Sequence, residues 1–227
     1  IPGADLPQVH ELRNATDADR LKAGLGSAKR IAIVGGGYIG LEVAASARAL
    51  GVEVIVLERE ARVLARVANP VLSAFFTGYH RQHGVEIRTG VEIVGFESDG
   101  VRLADDSLVA ADCILVGIGA TPNEELARAA GLVCEAGICV DETARTSDPH
   151  IFAIGDVTWR PLPFSGRIGR IESVPSAMEQ ARQAASAITG KPAPAPEVPW
   201  FWSDQYDIKL QIAGLVFGGE TIVVRGG

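Results

Sequence analysis

The stretch Arg30-Ile31-Ala32-Ile33-Val34-Gly35-Gly36-Gly37-Tyr38-Ile39-Gly40, continued through residues 41–58, sets the architecture. Ile31 to Val34 is an unbroken apolar run of strand length, and the glycines after it form a turn. Leu41 to Leu50 predicts an Ala-rich helix ended by Gly51, and Val52 to Leu57 predicts a second strand closed by Glu58. Together they make a βαβ unit of about 30 residues, the size of a dinucleotide-binding motif. Gly35, Gly37 and Gly40 have the spacing that lets bare backbone amides at a helix N-terminus hold a pyrophosphate. Glu58, at the end of the second strand, can accept both hydroxyls of an adenosine ribose and would repel a 2′-phosphate. NAD is therefore expected over NADP, a preference that the neighbouring Arg59 reduces. Glu42, in the first helical turn, has two readings: a favourable charge on the helix dipole, or a contact to the nicotinamide end of the cofactor.

Outward from this unit, residues 13–25 predict a short helix starting near Asn14 or Thr16. Asn69-Pro70 opens another helix running to about His83, followed by a strand from Val85 to Arg88. Ser98-Asp99-Gly100 and residues 104–107 read as hairpin corners, and Ile114 to Ile118 as a buried strand returning to the parallel sheet. Residues 137–156 read as strand-like, ending in Ile151-Phe152-Ala153-Ile154-Gly155-Asp156, and a helix is expected from about Ser176 to Ile188. Residues 190–199 carry four prolines, the mark of a stiff linker before a new β element.

Composition bounds the function. Hydrophobic residues make up 47% and charged residues 22% of 227, enough for a sizeable core and unlike a disordered chain. The net charge of −7 disfavours general nucleic-acid binding. No apolar run is long enough to cross a bilayer and no signal-peptide pattern is present. Three cysteines give no disulfide framework and suit a reducing cytoplasm. The chain begins Ile1-Pro2-Gly3 and stops at Val224-Arg225-Gly226-Gly227 within strand-like residues, so it reads as an internal piece of a longer protein.

A second motif is residues 146–157, in which a strand is expected to lead into Gly155-Asp156 and present the carboxylate where it ends; alone, Asp156 could be a mere cap. With Gly117-Ile118-Gly119-Ala120-Thr121-Pro122-Asn123, and with residues 34–48, 62–67, 73–90, 170–182 and 200–215, it carries a resemblance over essentially the whole chain. The sequence resembles the FAD-dependent, NADH-linked ferredoxin reductases that serve bacterial oxygenases, of the putidaredoxin reductase and biphenyl dioxygenase reductase type. The resemblance implies an α/β fold: a Rossmann-like NAD-binding domain, part of a topologically similar FAD-binding domain, and the start of a C-terminal α+β domain. It divides the chain into a linker helix with the end of the first FAD segment (1–27), the NAD domain (28–145), the second FAD segment (146–190), and the linker with the start of the third domain (191–227). The family's first glycine fingerprint, for the FAD pyrophosphate, would lie upstream of Ile1.

Residue by residue, the resemblance puts Asp156 at the ribityl–pyrophosphate region of FAD, Val174 beside the flavin ring, Arg13 as a further FAD contact and Trp202 near the isoalloxazine. On the NAD side it implies Tyr38 and Glu42 near the nicotinamide, Glu58 and Arg66 around the adenosine, and Gly119 in the loop facing the dinucleotide. The implied activity is hydride transfer from NADH to FAD, then single-electron steps to a ferredoxin, with [2Fe–2S] the expected type. The cofactors carry this chemistry, so no catalytic side chain and no metal ligand is expected.

Other features have plainer readings. Cys134 and Cys139 have the spacing of a redox-active pair, but Cys139 more simply fills a strand position. His80 and His83, three apart on a helix without carboxylate or cysteine partners in a metal pattern, read as surface or packing residues. Trp200 and Trp202 alternate with Phe201 and share one strand face, either as core or as a flavin-side platform. Arg160, Arg167, Arg170 and Arg182 give residues 159–191 an excess of positive charge, either an ordinary solvated face or a docking patch for an acidic iron–sulfur partner. The alternatives to a reductase for ferredoxin are a flavin-dependent disulfide reductase and a non-enzymatic NAD-binding sensor.

Overall fold

The computed structural model describes residues 1–217 and 221–225. They divide into two compact units, the first comprising Ile1–Gly119, Ser203–Lys209 and residues from Val216 onward, the second Ala120–Trp202 and Leu210–Leu215.

In the first unit the chain runs β1 (Val9–His10), α1 (Ala15–Ser27), β2 (Arg30–Val34), α2 (Tyr38–Ala49), β3 (Glu53–Glu58), α3 (Pro70–Gln82) and β4 (Val85–Thr89). It continues through β5 (Ile93–Glu97), β6 (Gly100–Leu103), β7 (Leu108–Ala110) and β8 (Cys113–Val116). A parallel sheet in the order β1-β8-β2-β3-β4 carries the unit, with Ile31 paired to Val54 on one side and Cys113 on the other. Parallel strands covered on both faces read as continuous apolar runs, which is why β2 and β3 were legible. On one face Ala32, Val34, Ile55, Leu57 and Ile114 pack against Phe96, Val101, Leu103 and Val109 of the antiparallel meander β5-β6-β7 and against Ala111 just after it. The strand order reverses direction at β2: the chain moves from β2 to β3 on one side and returns through β8 on the other. Ligands of open α/β sheets bind at the carboxyl ends of strands at such a point.

The helix ends obey their caps. Asn14 and Asp17 form a reciprocal capping box at α1, and Asn69 accepts from the Leu72 amide at 2.9 Å, with Pro70 opening α3. The second helix begins at Tyr38, three residues before the expected start. Its cap is Gly37, which has no side chain to mark the boundary and leaves the first-turn amides uncovered. Strand β8 ends at Val116 rather than Ile118, because the Gly117 amide donates to Val34 O at 2.7 Å and Gly119 turns the chain with φ +112°. Cys113 in β8 is buried, and burial pushes its thiol up to about 11.

The second unit holds α4 (Glu125–Ala129), β9 (Ile138–Cys139), β10 (Thr158–Pro161), β11 (Ile168–Gly169) and α5 (Val174–Thr189), with β11-β10-β9 forming a small sheet. A hairpin of β12 (Trp200–Gln205) and β13 (Ile208–Ala213) comes after residues 191–199, which have no regular structure, as the prolines require. Helix α5 starts one turn or less before the expected position, capped by Ser173, and ends on Gly190 in the left-handed conformation.

Two expectations are corrected by the fold. Residues 137–156 are not a continuous strand: β9 has two residues, Arg145 and Phe152 make an isolated bridge, and Asp156 sits in a 3₁₀ turn, Gly155–Val157. Local bonds replace a ladder. Asp141 accepts from the amides of Thr143 and Arg145, while Thr146 Oγ1 donates to the carbonyls of Asp148 and Ile151. Arg160 is not a surface charge. It is 3% exposed and paired with buried Glu179 at 3.2 Å, so it cannot belong to a docking patch. The polar buried face of α5, formed by Ser176, Glu179, Gln180 and Gln183, provides its partners.

Among the described residues, no helix is long and apolar enough to cross a membrane.

Candidate functional site

The glycine loop is built by close approach. Gly35 has φ +108°, and a Cβ there would stand 2.4 Å from Gly117 O; a Cβ on Gly40 would stand 2.1 Å from Gly35 O. Neither position admits a side chain, so strand, turn and helix come together at backbone distance. A Cβ on Gly37 would meet nothing within 4 Å. The loop is thus closed on its protein side and open at the helix start, where first-turn amides favour an anion.

Glu58 holds this loop from β3. One carboxylate oxygen accepts from the Gly36 amide at 2.6 Å and the other from the Glu60 amide at 2.8 Å. Each oxygen keeps a further acceptor site, which is what two ribose hydroxyls need. Arg59 points away: its side chain is 80% exposed and pairs with Glu60. Next to the loop, Leu64 donates its amide to Gly36 O at 2.9 Å, and Arg62 donates to the carbonyls of Ala65 and Ala68, fixing the turn that carries exposed Arg66. A Cβ on Gly119 would lie 3.7 Å from Arg66 Nη2, so Arg66 and Gly119 are neighbours. Gly35, Gly37, Tyr38, Gly40, Glu42, Glu58, Arg66 and Gly119 all lie within the first unit, at or just beyond the carboxyl ends of β2, β3 and β8.

Burial pushes the Tyr38 phenol up to about 12. It also raises the Glu42 carboxyl, against a Ser203 hydroxyl that donates to Glu42 Oε1 at 2.5 Å and lowers it. Sequence reasoning missed Ser203. The signal was available: Phe201, Ser203 and Gln205 share the face of β12 opposite the two tryptophans, and Ser203 and Gln205 are buried. His80 is fully buried and His83 is exposed, so packing is the right reading for the first of them.

The second unit holds most of the other candidates. Asp156 is exposed on its turn, which Thr158 and Gln180 tie to α5: Thr158 Oγ1 lies 2.8 Å from both Gly155 O and Gln180 Oε1. Val174, first residue of α5, is 59% exposed. Trp200 and Trp202 lie on one face with ring centroids 5.5 Å apart; at 41% and 45% exposure they are not core. Arg13 is an exposed residue of the first unit whose amide donates to Asp17. Cys134 and Cys139 are free thiols, and Cys139 does occupy a strand position. Among the described residues no cluster of three or more His, Cys, Asp or Glu is placed to hold a metal.

Residues 200–227 match the reductase C-terminal family. The chain is 53% identical, over its whole length, to a protein of Castellaniella defragrans named "Probable ferredoxin reductase CtmF", and spans 57% of that relative's length. A solved ferredoxin reductase for the CYP199A2 system from Rhodopseudomonas palustris superposes with a TM-score of 0.96 at 43% identity, covering 100% of this chain and 57% of that one. The reductase in a covalent putidaredoxin reductase–putidaredoxin complex gives 0.94 at 43% identity, with coverages of 99% and 55%. Residues 1–181 match the model of one family across the βαβ unit, the 117–123 loop and the Gly155-Asp156 turn, and so the chain belongs to the pyridine nucleotide-disulphide oxidoreductases.

Proposed function

We propose that this chain carries the NAD-binding domain, and part of the FAD-binding domain, of an NADH-dependent ferredoxin reductase that feeds an oxygenase. The observation that carries the reading is the glycine loop: shut against side chains at Gly35 and Gly40, open at Gly37, and clasped by the Glu58 carboxylate. This cradle fits a pyrophosphate with a ribose diol beside it. The matched relatives and structures, named as ferredoxin reductases or seen with putidaredoxin, support the partner class.

In this reading the first-turn amides of α2 and the open face of Gly37 bind the NADH pyrophosphate, Glu58 orients the adenosine ribose, and Arg66 with Gly119 borders the adenosine side. Tyr38 and Glu42 border the nicotinamide side. Asp156 would border the ribityl–pyrophosphate region of FAD, Val174 and Trp202 would offer apolar and aromatic surface to the flavin, and Arg13 would add a cationic contact. When bound, the two cofactors supply hydride and one-electron chemistry. The protein's own task is to bind, orient and exclude water.

The domain division at 28–145, 146–190 and 191–227 belongs to this reading, as does a cytoplasmic site of action, which the few free cysteines suit. An acidic [2Fe–2S] ferredoxin would dock on Arg167, Arg170 and Arg182. Arg170 and Arg182 each pair with one glutamate, Glu172 and Glu197, and long-range attraction acts in addition to such pairs.

The test is an absorbance spectrum of the protein with FAD, before and after anaerobic NADH. A bound flavin band bleached by NADH supports the reading, and binding of NADH without flavin favours the sensor. Glu58→Ala should weaken NADH about tenfold or more and narrow its advantage over NADPH, since charge-assisted hydrogen bonds contribute about 1.5–3 kcal/mol each. An unchanged preference would sink the role given to Glu58.

A further inference from the structure

Five polar side chains, joined by four hydrogen bonds, link the glycine-loop helix to α3 within the first unit. Tyr206 Oη lies 3.3 Å from His80 Nδ1; His80 Nε2 lies 2.8 Å from Gln205 Oε1; Gln205 Nε2 donates to Ser203 Oγ at 3.0 Å; Ser203 Oγ donates to Glu42 Oε1 at 2.5 Å. His80 and Gln205 are 0% exposed and Ser203 is 1% exposed, so water does not compete. With the Gln205 amide oxygen turned toward His80, the direction of each bond follows. Gln205 Oε1 can only accept, so His80 Nε2 carries the proton and Nδ1 accepts from the Tyr206 hydroxyl. The amide of Gln205 then has only its N–H groups to offer Ser203. A serine has one proton, which is left for Glu42.

The titratable groups facing this chain are Asp204 beside Glu42, and His83, Tyr206 and Tyr79 with its partner Asp207 around His80; Arg48 acts on Tyr206. Burial lowers the His80 pKa, the direction that favours the neutral ring the chain of donors uses.

We propose that Ser203, Gln205 and His80 are positioning residues forming a one-way hydrogen-bond relay that keeps the Glu42 carboxylate ionised and oriented beside the glycine loop. The proposal deepens the reading of Glu42 as a nicotinamide-side residue and rests on it. Burial and the Asp204 charge raise the Glu42 carboxyl, and the Ser203 hydrogen bond at the end of the relay acts against both. With it, Glu42 presents its free oxygen as an acceptor to whatever binds in front of α2.

The experiment is to titrate Glu42 by difference infrared spectroscopy on the full-length, flavin-loaded protein labelled with carbon-13 glutamate, with Glu42→Gln identifying the band. Ser203→Ala should raise the protonation constant about tenfold, the size of one charge-assisted hydrogen bond. Ser203→Thr keeps the hydroxyl and should leave it near wild type, which separates loss of the bond from loss of fold. His80→Phe frees the Gln205 amide to turn and should raise the constant in the same direction. His80→Gln restores a donor at the Nε2 position and should reverse most of that shift. NADH KM should rise in parallel with the constant across the series, with kcat less affected. If Ser203→Ala leaves the Glu42 titration unmoved, or if Ser203→Ala moves it and His80→Phe does not, the relay is overturned. A shifted titration in a protein that NADH fails to reduce would uphold the relay and remove the reductase reading.

Discussion

The seat of α2 and the seat of α5 solve the same problem with opposite materials. Helix α2 buries Gly40, Leu41, Val43, Ala44, Ala45 and Ala47, and meets its loop through backbone at Gly35 and Gly40. Helix α5 buries Ser176, Glu179, Gln180 and Gln183, and is fixed through Thr158, Arg160 and the Glu197 amide. The first arrangement fails when volume is added. The second fails when one partner is taken away, because a buried charge left alone has lost water and gained nothing.

The largest effect expected on this contrast comes from Glu179→Ala. It strands the Arg160 guanidinium and the Glu197 amide together, and should lower unfolding stability by about 3–5 kcal/mol in urea titration. The double change Arg160→Met, Glu179→Leu should recover much of the loss; a single change costing under about 1 kcal/mol would erase the distinction between the two seats. Gly40→Ala comes next. Its methyl meets the Gly35 carbonyl, and overpacking of this kind costs about 1–3 kcal/mol. At the exposed start of α1, Asn14→Ala removes half of a capping box and should cost about 1 kcal/mol, whichever seat is considered. Gly37→Ala should be the mildest for folding, about 0.5 kcal/mol or less by the same titration, while weakening NADH binding measurably by calorimetry. A Gly37→Ala protein that binds NADH like wild type would move the pyrophosphate away from this loop.

The contrast also explains what could be read in advance. The β2–α2–β3 unit announces itself because apolar runs, a glycine turn and a terminal carboxylate are all local in sequence. The start of α2 at Tyr38 was hidden because a glycine cap has no side chain to signal it. Residues 137–156 looked strand-like from their apolar content, yet their backbone partners are Asp141 and Thr146, whose choice of partner depends on the folded turn. Arg160 looked like surface charge because its partner lies nineteen residues away on a helix face that reads as solvent-facing. Ser203 and Gln205 were within reach: the alternation that paired Trp200 with Trp202 continues two residues further, and its other face is the buried one.

Cys113 gives the sheet a built-in reporter. A thiol with a pKa of about 11, enclosed in the strand that neighbours both β1 and β2, is almost wholly uncharged at neutral pH and out of reach of alkylating reagents. Cys134 and Cys139 are partly exposed by comparison. Labelling should therefore proceed in two stages, with the second stage timed by the opening of the parallel sheet itself. The slow stage would measure how often the unit built on the parallel sheet comes apart, and on the proposed reading added NADH should lengthen it.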